Sequence, residues 1–108
     1  MAELEAEPPT VRIEMRLDPT GAQVVVLSGE LDSSNVATLQ ERVASIPPQP
    51  AQPLIFDFTD LRFMDSAGIA VLIGAAAKAS SVSLRNPSPI IRRVLEATGL
   101  SSVFSIES

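Results

Sequence analysis

Cysteine, histidine, tryptophan and tyrosine are all missing from this chain of 108 residues. Without cysteine there is no disulfide, no thiolate nucleophile and no sulfur-ligated metal, and without histidine the usual general base and commonest metal ligand is gone. A Ser-His-Asp or Cys-His arrangement cannot be drawn, and a Ser-Lys pair would have to use Lys78, the single lysine, which nothing in the sequence places beside a serine. These absences predict a protein that is not an enzyme and that carries no cofactor or metal. Basic residues are scarce too: 8 against 13 acidic ones, a net charge of −5. With four phenylalanines as its only aromatics, the chain lacks the basic stripe and stacking platform of a nucleic-acid binder. No run approaches 18 apolar residues, and the opening MAELEAEPP is acidic where a secretory leader would be basic and then apolar. No membrane association is therefore predicted, and the expected location is the cytoplasm, whose reducing conditions agree with the missing cysteine.

What is present suits one small globular domain. Hydrophobic residues make up 45% of the chain and charged residues 19%, enough apolar side chain for a single core. Residues 1–10 alternate Glu with small residues and end near Pro8-Pro9, which predicts a flexible acidic N-terminal segment ahead of a domain over 11–108. From Val11 to Leu17, apolar Val11, Ile13, Met15 and Leu17 alternate with Arg12, Glu14 and Arg16, the period of a strand with one wet face. Asp18-Pro19-Thr20-Gly21 is turn chemistry, so the next strand, Ala22 to Ser28, should return antiparallel. Its continuous Val24-Val25-Val26-Leu27 predicts burial on both faces.

Gly29-Glu30-Leu31-Asp32 then leads into Ser33-Ser34-Asn35, residues suited to capping, and a helix over about Asn35–Ser45 with Val36, Leu39, Val43 and Ile46 inward. Pro47, Pro48, Pro50 and Pro53 mark 47–53 as a stiff surface connection, followed by a short buried strand, Leu54–Phe58. Residues Asp60 to Asp65 read as a loop feeding Ser66-Ala67-Gly68 and a second, almost wholly apolar helix over Ile69 to about Lys78, with Ile69, Leu72, Ile73 and Ala76 as its inward row. A strand over Val82–Arg85 follows. Ser88 suits an N-cap, Pro89 the first helical position and Gly99 a left-handed stop, so a third helix is predicted between them with Ile91, Val94, Leu95 and Thr98 inward; Val103–Ile106 closes the domain as a strand. The order β-β-α-β-α-β-α-β predicts an α/β fold with a mixed four- to five-stranded sheet and helices mainly on one face. Arg92-Arg93 reads as a solvated helix face.

The stretch that could carry chemistry is Phe56 to Ile69, a buried strand opening through polar residues onto a helix. Such a helix start presents unpaired amides and the positive end of the helix dipole, which can hold a phosphate, free or attached to Ser66. Asp and Ser are favoured at the same place simply as caps.

Read together with Gly29-Glu30-Leu31-Asp32, the segment Phe63-Met64-Asp65-Ser66-Ala67-Gly68 resembles the paired turns of the STAS domain, specifically of bacterial anti-sigma factor antagonists of the sporulation and stress type. The resemblance extends over roughly residues 11 to 107, with Ile90–Leu100 similar to the family's third helix and Phe104-Ser105-Ile106 to its last strand. The chain departs from the family at Ser80-Ser81, where a glycine is usual, and at its end, Ser108, which leaves no room for the C-terminal helix many relatives carry.

The resemblance implies partner switching. The unphosphorylated protein would bind an anti-sigma factor serine kinase and free a sigma factor; phosphorylation of Ser66 would end that binding, and a cognate phosphatase would restore it. Ala67 stands where many relatives have a second serine, leaving Ser66 as the only hydroxyl of the turn. The expected partner-binding residues are Asp32, Ser33, Ser34, Met64, Asp65, Ser66, Ala67, Gly68 and Val71, provided the two turns meet at one edge of the sheet. Glu30, Asp32, Asp65 and Asp60 would make that edge acidic. Two other functions compete: an unphosphorylated STAS scaffold or transporter-associated regulatory subunit in which Ser66 only caps, and a weak hydrolase or nucleotide binder at the same helix start. The second lacks a phosphate-loop lysine, a histidine and a metal cluster. The sequence sets no oligomeric state.

Overall fold

The computed structural model describes residues 10–47 and 49–107, so the acidic lead-in expected over 1–10 lies, but for Thr10, outside the described residues. Along the chain run β1 (Val11–Leu17), β2 (Gln23–Leu31), α1 (Val36–Ala44), β3 (Gln49–Met64), α2 (Ser66–Ala75), β4 (Ala79–Arg85), α3 (Pro89–Ala97) and β5 (Ser105–Glu107). The strands form one sheet in the order β1-β2-β3-β4-β5. β1 pairs antiparallel to β2, and every later neighbour pair is parallel. Because the parallel strands advance across the sheet in one direction, crossovers of one hand bring α1, α2 and α3 to the same face. The core lies there, with Val25, Leu27, Leu54, Phe56, Phe58, Val82 and Leu84 of the sheet meeting Leu39, Val43, Ile69, Leu72, Ile91 and Leu95 of the helices. The architecture is the mixed α/β sheet that the element order predicts.

β1 shows the expected alternation from Val11 to Arg16, whereas Leu17, expected on the apolar side, is exposed; the Asp18–Gly21 turn closes through the Gly21 amide on the Asp18 carbonyl at 2.9 Å. On the face without helices Ala22, Val24 and Ile55 form a second small buried cluster, joined by half-buried Val26, so β2 is apolar on both sides.

Two strands run further than the sequence pattern suggests. β2 continues through Gly29-Glu30-Leu31, with register irregularities between Val26 and Ser28 and between Gly29 and Glu30 that break its period of two. Gly29, at φ +95, occupies the second irregularity, where a Cβ would collide with the Thr10 carbonyl. β3 is not the short Leu54–Phe58 strand; it extends over Gln49–Met64. Its early part pairs with β4 alone, because β2 joins only at Gln23 opposite Leu54, so prolines there sit at an edge where a missing N–H breaks no ladder. Pro48, in the expected connection, lies outside the described residues. Its late part pairs with β2 alone, which turns the expected loop at Asp60–Met64 into strand.

α2 begins at Ser66, three residues before the expected Ile69, and gives way to a short 3-10 turn at Ala76–Lys78. Its inward residues are Gly68, Ile69, Leu72 and Ala75, so Ile73, half exposed, and Ala76, exposed, are not the inward positions expected of them. A helix apolar on every side carries no hydrophobic phase; close packing of Gly68 decides it. In α3 the cap is as expected, Ser88 Oγ accepting from the Ile91 amide at 3.3 Å, but Thr98 is exposed and its hydroxyl bonds back to the Val94 and Leu95 carbonyls. β4 starts earlier, at Ala79, and β5 later, at Ser105, leaving Val103 exposed.

Candidate functional site

The two motif turns meet because their strands are neighbours. Glu30 pairs with Phe63 and Leu31 with Met64, and the Asp65 amide donates to the Leu31 carbonyl at 3.3 Å. The Gly29–Asp32 and Phe63–Gly68 segments therefore end side by side at the C-terminal edge of the parallel strands, where ligand and partner sites of α/β sheets tend to form.

On the Asp65 side the cap is Asp65, not Ser66. Its backbone is extended, at φ −104 and ψ −170, and its Oδ1 accepts from the Ala67 amide at 2.9 Å, while its carbonyl accepts from the Gly68 amide at 3.1 Å. Two amides of this helix start, those of Ala67 and Gly68, are thus already partnered. Ser66 is the first helical residue; it is exposed, and its hydroxyl makes no hydrogen bond among the described residues. Beneath it, Met64 is fully buried and Gly68 is buried against it. A Cβ on Gly68 would stand 2.6 Å from Met64 Cγ and 2.8 Å from Leu31 Cδ2. Met64 and Gly68 accordingly correct the expected contact set: they shape the turn from below, because the helix start must press onto the strands, and they offer no surface.

On the Asp32 side, Asp32 Oδ1 accepts from the Ser34 amide at 2.8 Å and the Ser34 hydroxyl at 2.5 Å. These bonds, led by the Ser34 hydroxyl, hold the Asp32 carboxyl below its ordinary 3.8. Asn35 does not cap α1 with its side chain; Asn35 Nδ2 donates to the Glu30 carbonyl at 2.9 Å and its Oδ1 accepts from the Asp32 amide at 3.0 Å, so it braces the turn that starts the helix. Ser33 and Ser34 are exposed and Asp32 half-buried. The acidic edge comprises Glu30, Asp32 and Asp65, with Arg62 standing 3.7 Å from Glu30 in an exposed pair. Asp60 pairs with Ser28 and lies toward the sheet face that carries Arg12.

Beside Ser66 the apolar surface of α2 faces α1. Ala67, Val71 and Gly74 on one side and Val36, Gln40 and Ala44 on the other border a groove of about 420 Å³. Val71 is half-buried, as is Ala67, whereas Ile73 is 50% exposed on the outer side of the helix. No α1 residue of this wall is among the expected partner contacts, and Val36, expected inward, is half-buried at the groove. The available signal was the small-residue series Ala67, Ala70 and Gly74 at helical spacing, which leaves room beside a neighbouring helix. Among the described residues no group of three or more His, Cys, Asp or Glu could hold a metal ion, and no helix is long and apolar enough to cross a membrane.

Comparison with known proteins agrees with this geometry. The family model described as "Mlab, STAS domain" matches residues 8–105. The chain belongs to the STAS domain family. Among curated STAS relatives, an anti-sigma F factor antagonist from Lysinibacillus sphaericus is 33% identical over 82 residues, covering 71% of this chain and 70% of the relative. Among solved structures, the anti-sigma factor antagonist SpoIIAA in its unphosphorylated form is 25% identical at a TM-score of 0.67, over 90% of this chain and 89% of that one. The Bacillus cell fate determinant SpoIIAA in its phosphorylated form is 27% identical at a TM-score of 0.64, over 90% of this chain and 92% of that one.

Proposed function

We propose that this STAS protein is a cytoplasmic anti-sigma factor antagonist. Unphosphorylated, it binds an anti-sigma factor serine kinase and so releases a sigma factor; phosphorylation of Ser66 by that kinase ends the binding, and a cognate phosphatase resets it. The observation that carries this reading is the exposed, unbonded Ser66 hydroxyl at the start of α2, beside an apolar groove. The names of its relatives support antagonism, and the existence of a phosphorylated SpoIIAA supports a covalent switch in this family.

In the transfer step Ser66 Oγ attacks the γ-phosphorus of ATP held by the kinase. The new O–P bond forms as the β–γ bridging bond breaks, ADP leaves, and the hydroxyl proton passes to a base on the kinase. This chain contributes the acceptor and its position and is a binding protein with no bound cofactor.

The switch acts at the interface. A phosphoserine adds nearly two negative charges. Asp65 already occupies the Ala67 amide, so the phosphate points outward, next to the Asp65 and Asp32 carboxylates. An outward dianion leaves the core untouched, yet a partner that covers it must strip its water and set its own anionic nucleotide against it. A hundredfold loss of affinity requires about 2.7 kcal/mol. Asp32, Ser33, Ser34, Asp65, Ala67 and Val71 form the contact surface around Ser66, with Met64 and Gly68 supporting it from beneath.

Incubation with ATP and the candidate anti-sigma factor kinases of the same organism, followed by mass spectrometry, tests this directly. Wild type is expected to gain one phosphate on Ser66; Ser66→Ala should lose labelling and keep kinase binding; Ser66→Asp should bind more weakly. Undiminished labelling of Ser66→Ala would overturn the assignment.

A further inference from the structure

Lys78 closes the 3-10 turn that follows α2 and is half-buried. Its Nζ donates to three backbone carbonyls, Val43 at 3.1 Å, Ala44 at 3.1 Å and Ile46 at 3.0 Å. These carbonyls belong to the last turn of α1 and the residues just after it, where a helix runs short of donors and its dipole is negative. An ammonium has three N–H donors, and here each can meet one acceptor.

The position of this contact matters for the site. α1 and α2 each return antiparallel to the parallel strands, so they lie side by side pointing the same way. Their N-terminal ends hold Asp32 and Ser66, and at their C-terminal ends Lys78 ties the end of α2 to the end of α1. The groove runs between them, bordered by Val36 and Ala67 toward the Ser66 end and by Ala44 and Lys78 at the other. The residues of α2 that border it are alanines, Val71 and Gly74, too small to set its width by interlocking, and Gln40 on the opposite wall is exposed. Leu39 and Val43 anchor α1 in the core, and Val43 also borders the groove, so apolar packing and the Lys78 contact act together at this end.

We infer that Lys78 is a positioning residue for the docking surface, pinning the C-terminal end of α1 to α2 and thereby setting the width of the groove that Ala67 and Val71 border. The docking part of this inference rests on the proposed kinase binding; the pin itself does not. A lysine suits the place because a compact ammonium reaches three convergent carbonyls, whereas a planar guanidinium reaches them less evenly.

The test uses the full chain as wild type, K78M, which keeps most of the apolar stem without donors, and K78R, which keeps charge and donors. Amide hydrogen exchange is followed at Ser45 and Ile46, whose N–H groups bond back into the end of α1, and the kinetics of Ser66 phosphorylation by the cognate kinase are measured in parallel. In K78M, exchange at Ser45 and Ile46 is expected to rise about tenfold with the sheet amides unchanged. KM is expected to rise about fivefold with kcat within about twofold, because docking loosens while the acceptor stays in place. K78R, which reaches the carbonyls less evenly, should recover part of both effects.

Unchanged exchange at Ser45 and Ile46 in K78M would overturn the pin. Faster exchange with an unchanged KM would overturn its role in docking. A wild type that accepts no phosphate would instead defeat the proposed function, while the exchange measurement still decides the pin. Should K78M fail to fold, Lys78→Gln, with two N–H donors and no charge, takes its place under the same criteria.

Discussion

The Asp65 carboxylate accepts the Ala67 amide at 2.9 Å, so the residue just before Ser66 fills the first anion-binding position that α2 offers. A helix start that looks open to phosphate in sequence has its Ala67 and Gly68 amides taken by Asp65, and Ser66 itself is exposed. The same bond makes Asp65 responsible for where Ser66 stands, since the cap fixes the first turn of the helix on which the hydroxyl is carried.

Asp65→Ala should therefore cost about 1 kcal/mol of folding stability, the usual loss on removing an N-cap, and Asp65→Asn, which keeps an acceptor oxygen, distinctly less. Urea unfolding of the two variants checks this, with the order Ala worse than Asn as the decisive outcome. Equal stability of the alanine variant and wild type would show that the cap contributes nothing.

Gly68→Ala should destabilise the fold although alanine is the better helix former. Relief of glycine's helix penalty is worth about 1 kcal/mol, while a Cβ 2.6 Å from Met64 Cγ forces Met64 or the whole first turn to shift, an overpacking cost of about 1–3 kcal/mol. Because the obstruction is a side chain, Met64→Ala made together with Gly68→Ala should show clear non-additivity in denaturant unfolding. A Gly68→Ala variant more stable than wild type would mean that the turn can move away freely.

The Asp32 turn should loosen in acid. Its carboxyl is held below 3.8 in the fold, led by the hydrogen bond from the Ser34 hydroxyl, so the charged form is favoured in the folded state. The stability this provides is complete above 3.8 and is lost as pH falls through the lower folded value. Carbon NMR of the Asp32 carboxyl during an acid titration should give a midpoint under 3.8, and Ser34→Ala should raise it toward that value. A midpoint indifferent to Ser34→Ala would assign the depression to other groups.

The β1 alternation up to Arg16, the double-sided apolar run of β2, the Ser88-Pro89 start of α3 and the mixed sheet of four to five strands were legible from residue order. Each depends on neighbours within a few positions: a period of two, a turn, a cap. The surface position of Ser66 and the pairing of the two motif turns could be anticipated only as a condition, that the turns share an edge; the bond from the Asp65 amide to the Leu31 carbonyl meets it.

Other features were illegible for identifiable reasons. Residues Asp60–Met64 look like a loop because their polar pattern ignores the irregularities by which β2 follows them, and the register of a parallel pair is set by a strand thirty residues away. α2 has no polar side to give its phase, so its inward face waits on Gly68 meeting Met64 and Leu31. Lys78 looks idle in sequence, since its acceptors are backbone carbonyls of another helix, groups that every residue carries and no residue type reveals. Local geometry and side-chain period are written in the order of residues, and they sufficed for the order of the elements. Which surfaces meet, which amide is already taken and what an isolated charge holds are settled by contacts between distant segments, which exist only once the chain has folded.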